Sequence, residues 1–267
     1  MRKIFIILLS LSLFACNKSY QQALKSNDVD EKEKVANEYF EKEKYEKAIP
    51  LYEQLLTVLK GQKSVEDIYF KYAKAQYYNQ SYELAGYYLR SFYQTYPASK
   101  NAEEAGFLEA KSYADVSPRY SLEQVNTIKA ISVFNSFLTR YPDSKYKTEV
   151  NAEMDKLRGK LRKKSYEAAY LYYKIEQYHA ASVALANFIE EYPEYEKPDE
   201  IAYLIVKSNF KYAEQSYSEK KLERFEEYAT SYQDFVNKFP NSEYIGELNK
   251  LNQQALNKIK NTKKDKS

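Results

Sequence analysis

Hydrophobic positions recur along most of the chain at intervals of three and four residues, which is the spacing of one face of an α-helix. The segments come in pairs, and the second segment of a pair carries a small residue followed four positions later by a large one. This spacing is found at Ala48/Tyr52, Ala85/Leu89, Ala130/Phe134 and Ala181/Leu185. A small residue lets two antiparallel helices approach closely, and the pattern is typical of the tetratricopeptide repeat (TPR).

An aromatic residue followed by proline ends four of these segments. The dipeptides are Tyr96-Pro97, Tyr141-Pro142, Tyr192-Pro193 and Phe239-Pro240. Proline has no backbone N–H and disfavours a helical conformation in the residue before it, so each dipeptide predicts the end of a helix. In three of the four cases a serine follows two residues after the proline, where it can cap the next helix.

These patterns predict an all-α protein: a TPR solenoid of about five helix-turn-helix repeats with a C-terminal capping helix. Repeats 1 to 3 occupy residues 30–143. A long helix that begins near Ser144 leads into repeats 4 and 5 and the capping helix, over residues 144–262, and a disordered tail follows at 263–267. Two helix starts are predicted from side chains, with Asp30 as the N-cap of the first helix and Ser121 and Gln124 as a capping box.

The first 15 residues have the features of an export signal. Arg2 and Lys3 precede an apolar stretch over 4–14, which is too short to span a bilayer comfortably. The stretch ends in Leu-Phe-Ala-Cys, which resembles a bacterial lipobox. That resemblance implies cleavage before Cys16 and attachment of lipid to it. Residues 1–15 are therefore predicted to be a lipoprotein signal peptide, and 16–29 a lipidated flexible tether.

Composition narrows the range of functions. A formal net charge of +3 gives no reason to expect a nucleic-acid partner, and the five glycines do not form a phosphate-binding loop. His179 is the single histidine and Cys16 the single cysteine. A Ser-His-Asp triad or a histidine metal site would have to use His179, which lies at a predicted turn between two helices and has no second histidine or neighbouring cysteine ligand. We therefore expect no enzymatic activity, no metal and no cofactor beyond the lipid on Cys16.

The lipobox, the five degenerate repeats and the long central helix together resemble the BamD family, the TPR lipoproteins of the outer-membrane β-barrel assembly machinery. Residues 130–193 carry the most specific part of this resemblance. It implies a scaffold on the periplasmic face of the outer membrane, anchored by lipid. Its partners would be the barrel subunit BamA, bound by the C-terminal repeats, and unfolded barrel proteins, whose C-terminal strand is bound by the N-terminal repeats.

Two sets of site residues follow from this resemblance and from the predicted helix faces. The first helix of each TPR pair lines the concave surface, which binds extended partners. The predicted substrate-peptide groove comprises Asn37, Phe40, Phe70, Lys74, Tyr77 and Tyr78, although Phe40 and Phe70 also suit core packing between repeats. The predicted barrel-subunit contact comprises Lys197, Asp199, Tyr203 and Lys207. Asp199 stands near a position at which members of the family can carry arginine, so this contact departs from the family pattern.

Two other functions are compatible with a TPR lipoprotein. One is the coordination of cell-wall synthesis or envelope constriction, because the repeat signature does not select a partner. The other is an enzyme or an accessory subunit for polysaccharide uptake. The missing catalytic residues argue against the enzyme, and the lack of a large non-TPR region argues against the uptake subunit.

Overall fold

A computed structural model describes residues 19–62 and 64–264, and twelve helices account for most of this part of the chain. No strand occurs in these two ranges. Helix α1 covers residues 19–25. The others are α2 (Val29–Glu41), α3 (Tyr45–Val58), α4 (Val65–Tyr78), α5 (Tyr82–Thr95), α6 (Ala102–Asp115), α7 (Val125–Arg140), α8 (Lys147–Lys174), α9 (Tyr178–Glu191), α10 (Pro198–Glu214), α11 (Ser218–Lys238) and α12 (Ile245–Lys264).

The helices form two compact units, and neighbouring helices pack in pairs within each of them. Unit 1 is Met1–Gly159 and unit 2 is Lys160–Ser267. The division lies inside α8, beyond the boundary at 143/144 that the sequence predicts. The all-α, TPR-like fold is confirmed. The predicted long helix is also observed, as the 28 residues of α8.

Each unit has its own apolar core. In unit 1, one cluster joins α1 to α3 with the start of α4, and a second joins α4 to α7 with the beginning of α8. In unit 2, a single cluster joins the end of α8 with α9 to α12. Ala48, Ala85, Ala130 and Ala181 are completely buried, as their predicted role in close helix approach requires.

The four aromatic-proline dipeptides, which we call the aromatic-proline stops together with the two residues that follow each of them, share one hydrogen-bond pattern. The backbone N–H of the aromatic residue donates to the carbonyl oxygen of a phenylalanine four residues earlier, and its own carbonyl accepts from the N–H three residues later. At Tyr141 these two bonds run to Phe137, at 2.8 Å, and to Ser144, at 3.2 Å. The Ser144 side-chain oxygen then accepts from the Tyr146 N–H, at 3.0 Å. The motif therefore ends one helix and orients the next.

Left-handed residues close three of the hairpin turns. Glu43, Gln80 and Glu176 have φ values of 56°, 62° and 61°. In the turn at Gln80, its N–H donates to the Tyr77 carbonyl and the Ser81 N–H donates to the Gln76 carbonyl. This is the Schellman arrangement, which normally places glycine at the left-handed position.

Residues 19–25 differ from the predicted tether. They form α1, and the side chain of Ala23 is completely buried in the first core cluster. The Tyr20 ring lies edge-on to Tyr39, with centroids 5.2 Å apart. Tyr20, Ala23 and Leu24 have helical spacing, but the polar residues between them obscure it. The prediction of a flexible tether over 16–29 is therefore wrong for this segment.

Both predicted helix caps differ from the observed ones. The N-cap of α2 is Asp28, whose carboxylate accepts from the N–H groups of Asp30 and Glu31 at 3.0 and 3.1 Å. At α7 the predicted capping box is absent. The Gln124 side-chain amide donates instead to the carbonyls of Arg119 and Leu122, both at 2.9 Å, and so holds the preceding loop together.

At the C-terminus, α12 continues through Lys264. The predicted disordered tail, 263–267, therefore begins in a helix, and residues 265–267 lie outside the described part of the chain. In the fifth pair, Tyr228 takes the place of the usual small residue. It is completely buried, with its ring centroid 5.2 Å from that of Phe210. Its hydroxyl has no hydrogen-bond partner among the residues described.

Candidate functional site

A continuous row of aromatic rings follows the hairpin ends of the first two repeats. Phe40 lies edge-on to Tyr45 (centroids 5.4 Å apart), and Tyr45 stacks on Tyr78 (5.2 Å). Tyr78 lies edge-on to Tyr77 (5.4 Å), and Tyr77 to Tyr82 (5.5 Å). We call these five residues the aromatic row. The structure thus brings together three of the predicted groove residues, Phe40, Tyr77 and Tyr78.

Tyr78 is the most accessible of the predicted groove rings, with 43% of its surface exposed. Tyr77 is held more firmly, because its hydroxyl donates a hydrogen bond of 2.7 Å to Asp115 at the end of α6. Burial raises the pKa of Tyr77, and the hydrogen bond to Asp115 raises it further. The row therefore presents an open ring at Tyr78, supported by a fixed ring beside it.

Lys74 lies beside the aromatic row, but its charge is already paired. Its ammonium group is 2.8 Å from a carboxylate oxygen of Glu104 and 5.9 Å from the centroid of the Tyr78 ring. Although burial opposes the charged form, the hydrogen bond to Glu104 raises the pKa of Lys74 overall. A carboxylate that approached Lys74 would have to compete with Glu104.

Two predicted groove residues, Asn37 and Phe70, make contacts inside the repeats instead of lining an open surface. Phe70 is 5% exposed and packs on Phe92 in the core, so the prediction that its ring lines a groove is wrong. The side-chain amide oxygen of Asn37 accepts hydrogen bonds from the Tyr52 hydroxyl, at 2.9 Å, and from the Lys71 ammonium, at 3.2 Å. It therefore joins α2, α3 and α4 inside the first two repeats.

Sequence reasoning missed Tyr45 and Tyr82 as members of the row. Each is the first residue of the second helix of its hairpin. A tyrosine at the same point begins α9, at Tyr178, and its ring lies 5.8 Å from that of Tyr173. The recurrence of tyrosine immediately after the hairpin turn was therefore a usable signal.

The four residues predicted to contact a barrel subunit lie on α10 or at its start. Lys197 is the N-cap residue of α10, and its side chain is 69% exposed and 3.8 Å from Glu200. The other three form bonds inside unit 2. Asp199 accepts a hydrogen bond from the Ser242 hydroxyl, at 2.8 Å.

Tyr203 and Lys207 share one carboxylate partner on α12. The Tyr203 hydroxyl donates to Glu247 at 2.8 Å and accepts from the Lys207 ammonium at 2.7 Å. The ammonium group also lies 2.9 Å from the second oxygen of Glu247. The hydrogen bond from Lys207 holds the pKa of Glu247 below its usual range, more than burial raises it. This triad ties α10 to α12.

The same contacts occur in unit 1 at equivalent positions of the repeat. The rings of Phe107 and Tyr146 stack at 4.2 Å, as do those of Tyr203 and Tyr244 at 4.3 Å. The ammonium of Lys111 pairs with Glu149 at 3.6 Å, and that of Lys207 pairs with Glu247 at 2.9 Å. The ring stacking of Tyr203 and the ion pair of Lys207 are therefore part of the repeat itself, whereas the hydroxyl bonds of Tyr203 have no counterpart at Phe107.

His179 packs at the start of α9. Its ring stacks on Tyr212, with centroids 4.7 Å apart, and the Arg224 guanidinium also lies over Tyr212, at 4.0 Å. Cys16 lies outside the described residues. Within 19–62 and 64–264, no helix is both long and apolar enough to cross a membrane.

Comparison with known proteins supplies the family. No curated protein sequence matches the chain. A family model described as "YfiO: Outer membrane lipoprotein" matches residues 27–169 and 160–262, which together include nearly all of the described helices. The resemblance seen in the sequence is thereby confirmed. The chain belongs to the YfiO family of outer membrane lipoproteins, the family of BamD.

Proposed function

We propose that this chain is a non-enzymatic scaffold of the outer-membrane protein assembly complex. It is anchored by lipid on Cys16 and lies on the periplasmic face of the outer membrane. It binds a BamA-like barrel subunit and unfolded β-barrel proteins before their insertion, and it needs no cofactor for this role. Membership of the YfiO family, matched along almost the whole described chain, is the observation that carries the proposal.

The aromatic row supports the substrate part of the proposal. Exposed tyrosine rings provide large, rigid apolar contacts with a polar tip, which suits an extended segment rich in aromatic side chains. Tyr78 supplies such a ring, and Lys74 adds a nearby cation that is shared with Glu104. We assign the N-terminal repeats to substrate binding on this basis.

The barrel-subunit contact is assigned to the N-terminal part of α10 and its N-cap, residues 197–207. Lys197 is exposed there, while Asp199, Tyr203 and Lys207 are held by bonds inside unit 2. A partner at this surface would meet Lys197 directly. It would meet the other three as a preformed polar edge, which costs less to order on binding than mobile side chains do.

The complex is tested by purifying the native lipoprotein from membranes in mild detergent and identifying the proteins that accompany it by mass spectrometry. The expected result is reproducible recovery of a barrel protein with periplasmic domains of the BamA type. Recovery of cell-wall synthases without such a barrel protein would favour the cell-wall function instead and would reject this proposal.

The substrate surface is tested with a double variant, Tyr77→Ala with Tyr78→Ala. A labelled peptide from the last strand of a barrel protein should bind more weakly to this variant than to the native chain. Tyr87→Ala is the matched control, because Tyr87 is a 63% exposed tyrosine of α5 outside the aromatic row. Circular dichroism checks that both variants remain folded. Unchanged peptide affinity in the folded double variant would reject the assignment.

A further inference from the structure

The part of α8 that belongs to unit 2, residues 160–174, is strongly basic. It contains five lysine or arginine residues and one acidic residue, so its net charge is +4. The other residues of unit 2, 175–267, contain 13 lysine or arginine residues and 16 acidic residues, which gives a net charge of −3. The positive charge of this unit is therefore concentrated on one segment of one helix.

Three of these lysines share a helix face with two apolar residues. Positions three, four and seven residues apart lie on the same side of a helix. The face comprises, at those intervals, Lys160, Lys163, Lys164, Leu171 and Ile175. Helical hydrogen bonding reaches the last of them, because the Ile175 N–H donates to the Leu171 carbonyl at 3.0 Å. We call these five residues the α8 stripe.

The apolar end of the α8 stripe is exposed to solvent. Tyr170 and Tyr173, on another side of the helix, pack against the core of unit 2. Leu171 and Ile175 are 53% and 54% exposed, and Tyr172 beside them is 44% exposed. Single exposed apolar side chains are common, but a group of three neighbours marks a surface that contacts something else.

A paired acid and base lie between the basic end and the apolar end of the stripe. The Lys174 ammonium is 3.9 Å from a carboxylate oxygen of Glu167. It also lies over the Tyr170 ring, 4.6 Å from the centroid. These two residues offset each other's charge. The stripe therefore has a cationic end at Lys160 to Lys164 and an apolar end about two turns further along the helix.

The two ends together match the surface of a membrane that contains anionic phospholipids. Lysine side chains lay their methylene groups along apolar surface and keep the ammonium in water, where it attracts lipid phosphates. Leucine, isoleucine and tyrosine side chains are buried at the boundary between headgroups and acyl chains. An acidic protein surface would account for the basic end, but would not by itself account for the apolar end.

We propose that the α8 stripe binds the anionic phospholipid surface to which the protein is anchored. It is a second membrane contact, in addition to the lipid on Cys16, and it orients unit 2 on the membrane. The proposal rests on the proposed lipid anchor, because an anchored chain meets the surface at high effective concentration and a weak contact then suffices. The stripe is distinct from the barrel-subunit contact assigned to α10.

The test is lysine footprinting of the native lipoprotein in vesicles of phosphatidylcholine, with and without phosphatidylglycerol. Lysines are acetylated with an uncharged reagent, and each site is quantified by mass spectrometry. Lys160, Lys163 and Lys164 should be acetylated at least about threefold more slowly in the anionic vesicles. Lys250 and Lys260, exposed lysines of α12, are the internal controls and should react equally in both. Salt at about 1 M should remove the protection, because it shortens the Debye length to about 3 Å.

A double variant tests the apolar end while leaving every charge in place. Leu171→Ser with Ile175→Ser should lose at least about half of the protection of the three lysines, since the buried apolar area contributes to interfacial binding. Leu256→Ser is the matched control, because Leu256 is a 46% exposed leucine of α12. It should leave the protection unchanged. Circular dichroism checks that both variants remain folded.

Three results would overturn the proposal. They are equal acetylation of the three lysines in both kinds of vesicle, protection that persists at high salt, and protection that the double serine variant leaves unchanged. Protection that appears only when a purified barrel-subunit partner is added would assign the stripe to a protein and reject the lipid.

Failure of this proposal can be distinguished from failure of the proposed function. Flotation of the lipoprotein with vesicles of phosphatidylcholine alone reports the anchor on Cys16, and recovery of the barrel protein reports the assembly complex. Both would survive if only the protection of the α8 stripe were missing. Loss of flotation with these neutral vesicles would reject the anchor, and with it the membrane contact of α8.

Discussion

The hydroxyl of Ser144 donates a hydrogen bond of 2.6 Å to the carboxylate of Glu103, the second residue of α6. Ser242 and Asp199 form the same contact in unit 2, at 2.8 Å. In both units, the serine of an aromatic-proline stop thus forms a hydrogen bond with the start of the first helix of the preceding repeat, which is α6 in unit 1 and α10 in unit 2. Asp199 is therefore a structural residue, whatever surface it also shares with a partner.

Removal of this serine-carboxylate hydrogen bond should destabilise each unit separately. Ser144→Ala and Ser242→Ala each lose a hydrogen bond to a carboxylate and one to a backbone N–H, so we expect a cost of about 1–3 kcal/mol in the free energy of unfolding. Urea unfolding measures it. Ser136→Ala, which removes an exposed bond within one helix, should change stability by less than about 0.5 kcal/mol. Equal effects of all three substitutions would contradict the expectation.

Gln80→Gly should stabilise the protein. Gln80 has φ of 62° at the left-handed position of a Schellman turn, which glycine adopts without steric cost. We expect a gain of about 0.5–1 kcal/mol, measured as a higher urea midpoint at unchanged slope. The control is Asn79→Gly at the preceding residue, where φ is −77° and glycine therefore relieves no backbone strain. A loss of stability in Gln80→Gly would show that its side chain has a role that the turn geometry does not reveal.

Tyr228→Phe should also stabilise the protein. The ring is completely buried, and the hydroxyl has no partner within the described residues. An unpaired buried hydroxyl costs about 1–3 kcal/mol, and phenylalanine keeps the ring while removing that cost. Thermal unfolding should give a higher midpoint for Tyr228→Phe, whereas Tyr203→Phe, which removes a hydroxyl with two partners, should lower it. A Tyr228→Phe protein less stable than the native one would disprove the reasoning.

Arg90→Met should be among the more damaging changes in unit 1, because it leaves the buried carboxylate of Glu109 without its cation. Breaking a buried pair costs about 3–5 kcal/mol, and we expect the lower end or less because Arg90 is 38% exposed. Adding Glu109→Leu should recover part of the loss, since the unpaired charge is then gone. The comparison is Lys156→Met, which breaks an exposed pair with Glu153 at small cost. A double variant no more stable than Arg90→Met alone would argue against a charge effect.

Acid should weaken the link between α10 and α12. Since Lys207 holds the pKa of Glu247 below its usual range, the pair stabilises the folded state above the unfolded pKa of glutamate, about 4.3, and is lost as pH falls through the lower folded value. The stability difference between the native protein and Lys207→Met should therefore shrink as pH is lowered from 6 to 3. A difference that stays constant over this range would show that Lys207 acts through packing alone.

The helices were predictable because their signals are local. Buried alanines such as Ala85, with a large residue four positions later, identified the second helices, and the aromatic-proline pairs located their ends. The prediction of helix caps was wrong where a side chain had more than one possible hydrogen-bond partner or where two residues could serve as the cap. Gln124 has the spacing of a capping residue, yet its amide holds a loop, and Asp28 caps α2 although Asp30 was an equally suitable acid.

The candidate site was less predictable than the fold because it depends on contacts between distant residues. Helical spacing alone placed Phe70 on an open face, but the packing of α4 on α5 buries it against Phe92. The pairing of Lys74 with Glu104, 30 positions away, cannot be read from either local pattern. The aromatic row likewise needs Tyr45 and Tyr78, which only the stacking of two hairpins brings together.

Helix α1 has a mechanical consequence. Only three peptide units separate Cys16 from Ser19, where α1 begins among the described residues, so this stretch reaches at most about 11 Å. With lipid on Cys16, as proposed, only this short stretch of chain would connect the membrane anchor to α1, which packs on repeat 1. Tension on the anchor would be carried through Tyr20 and Ala23 into the first core cluster, so the lipid would act on the orientation of repeat 1 as well as on its location.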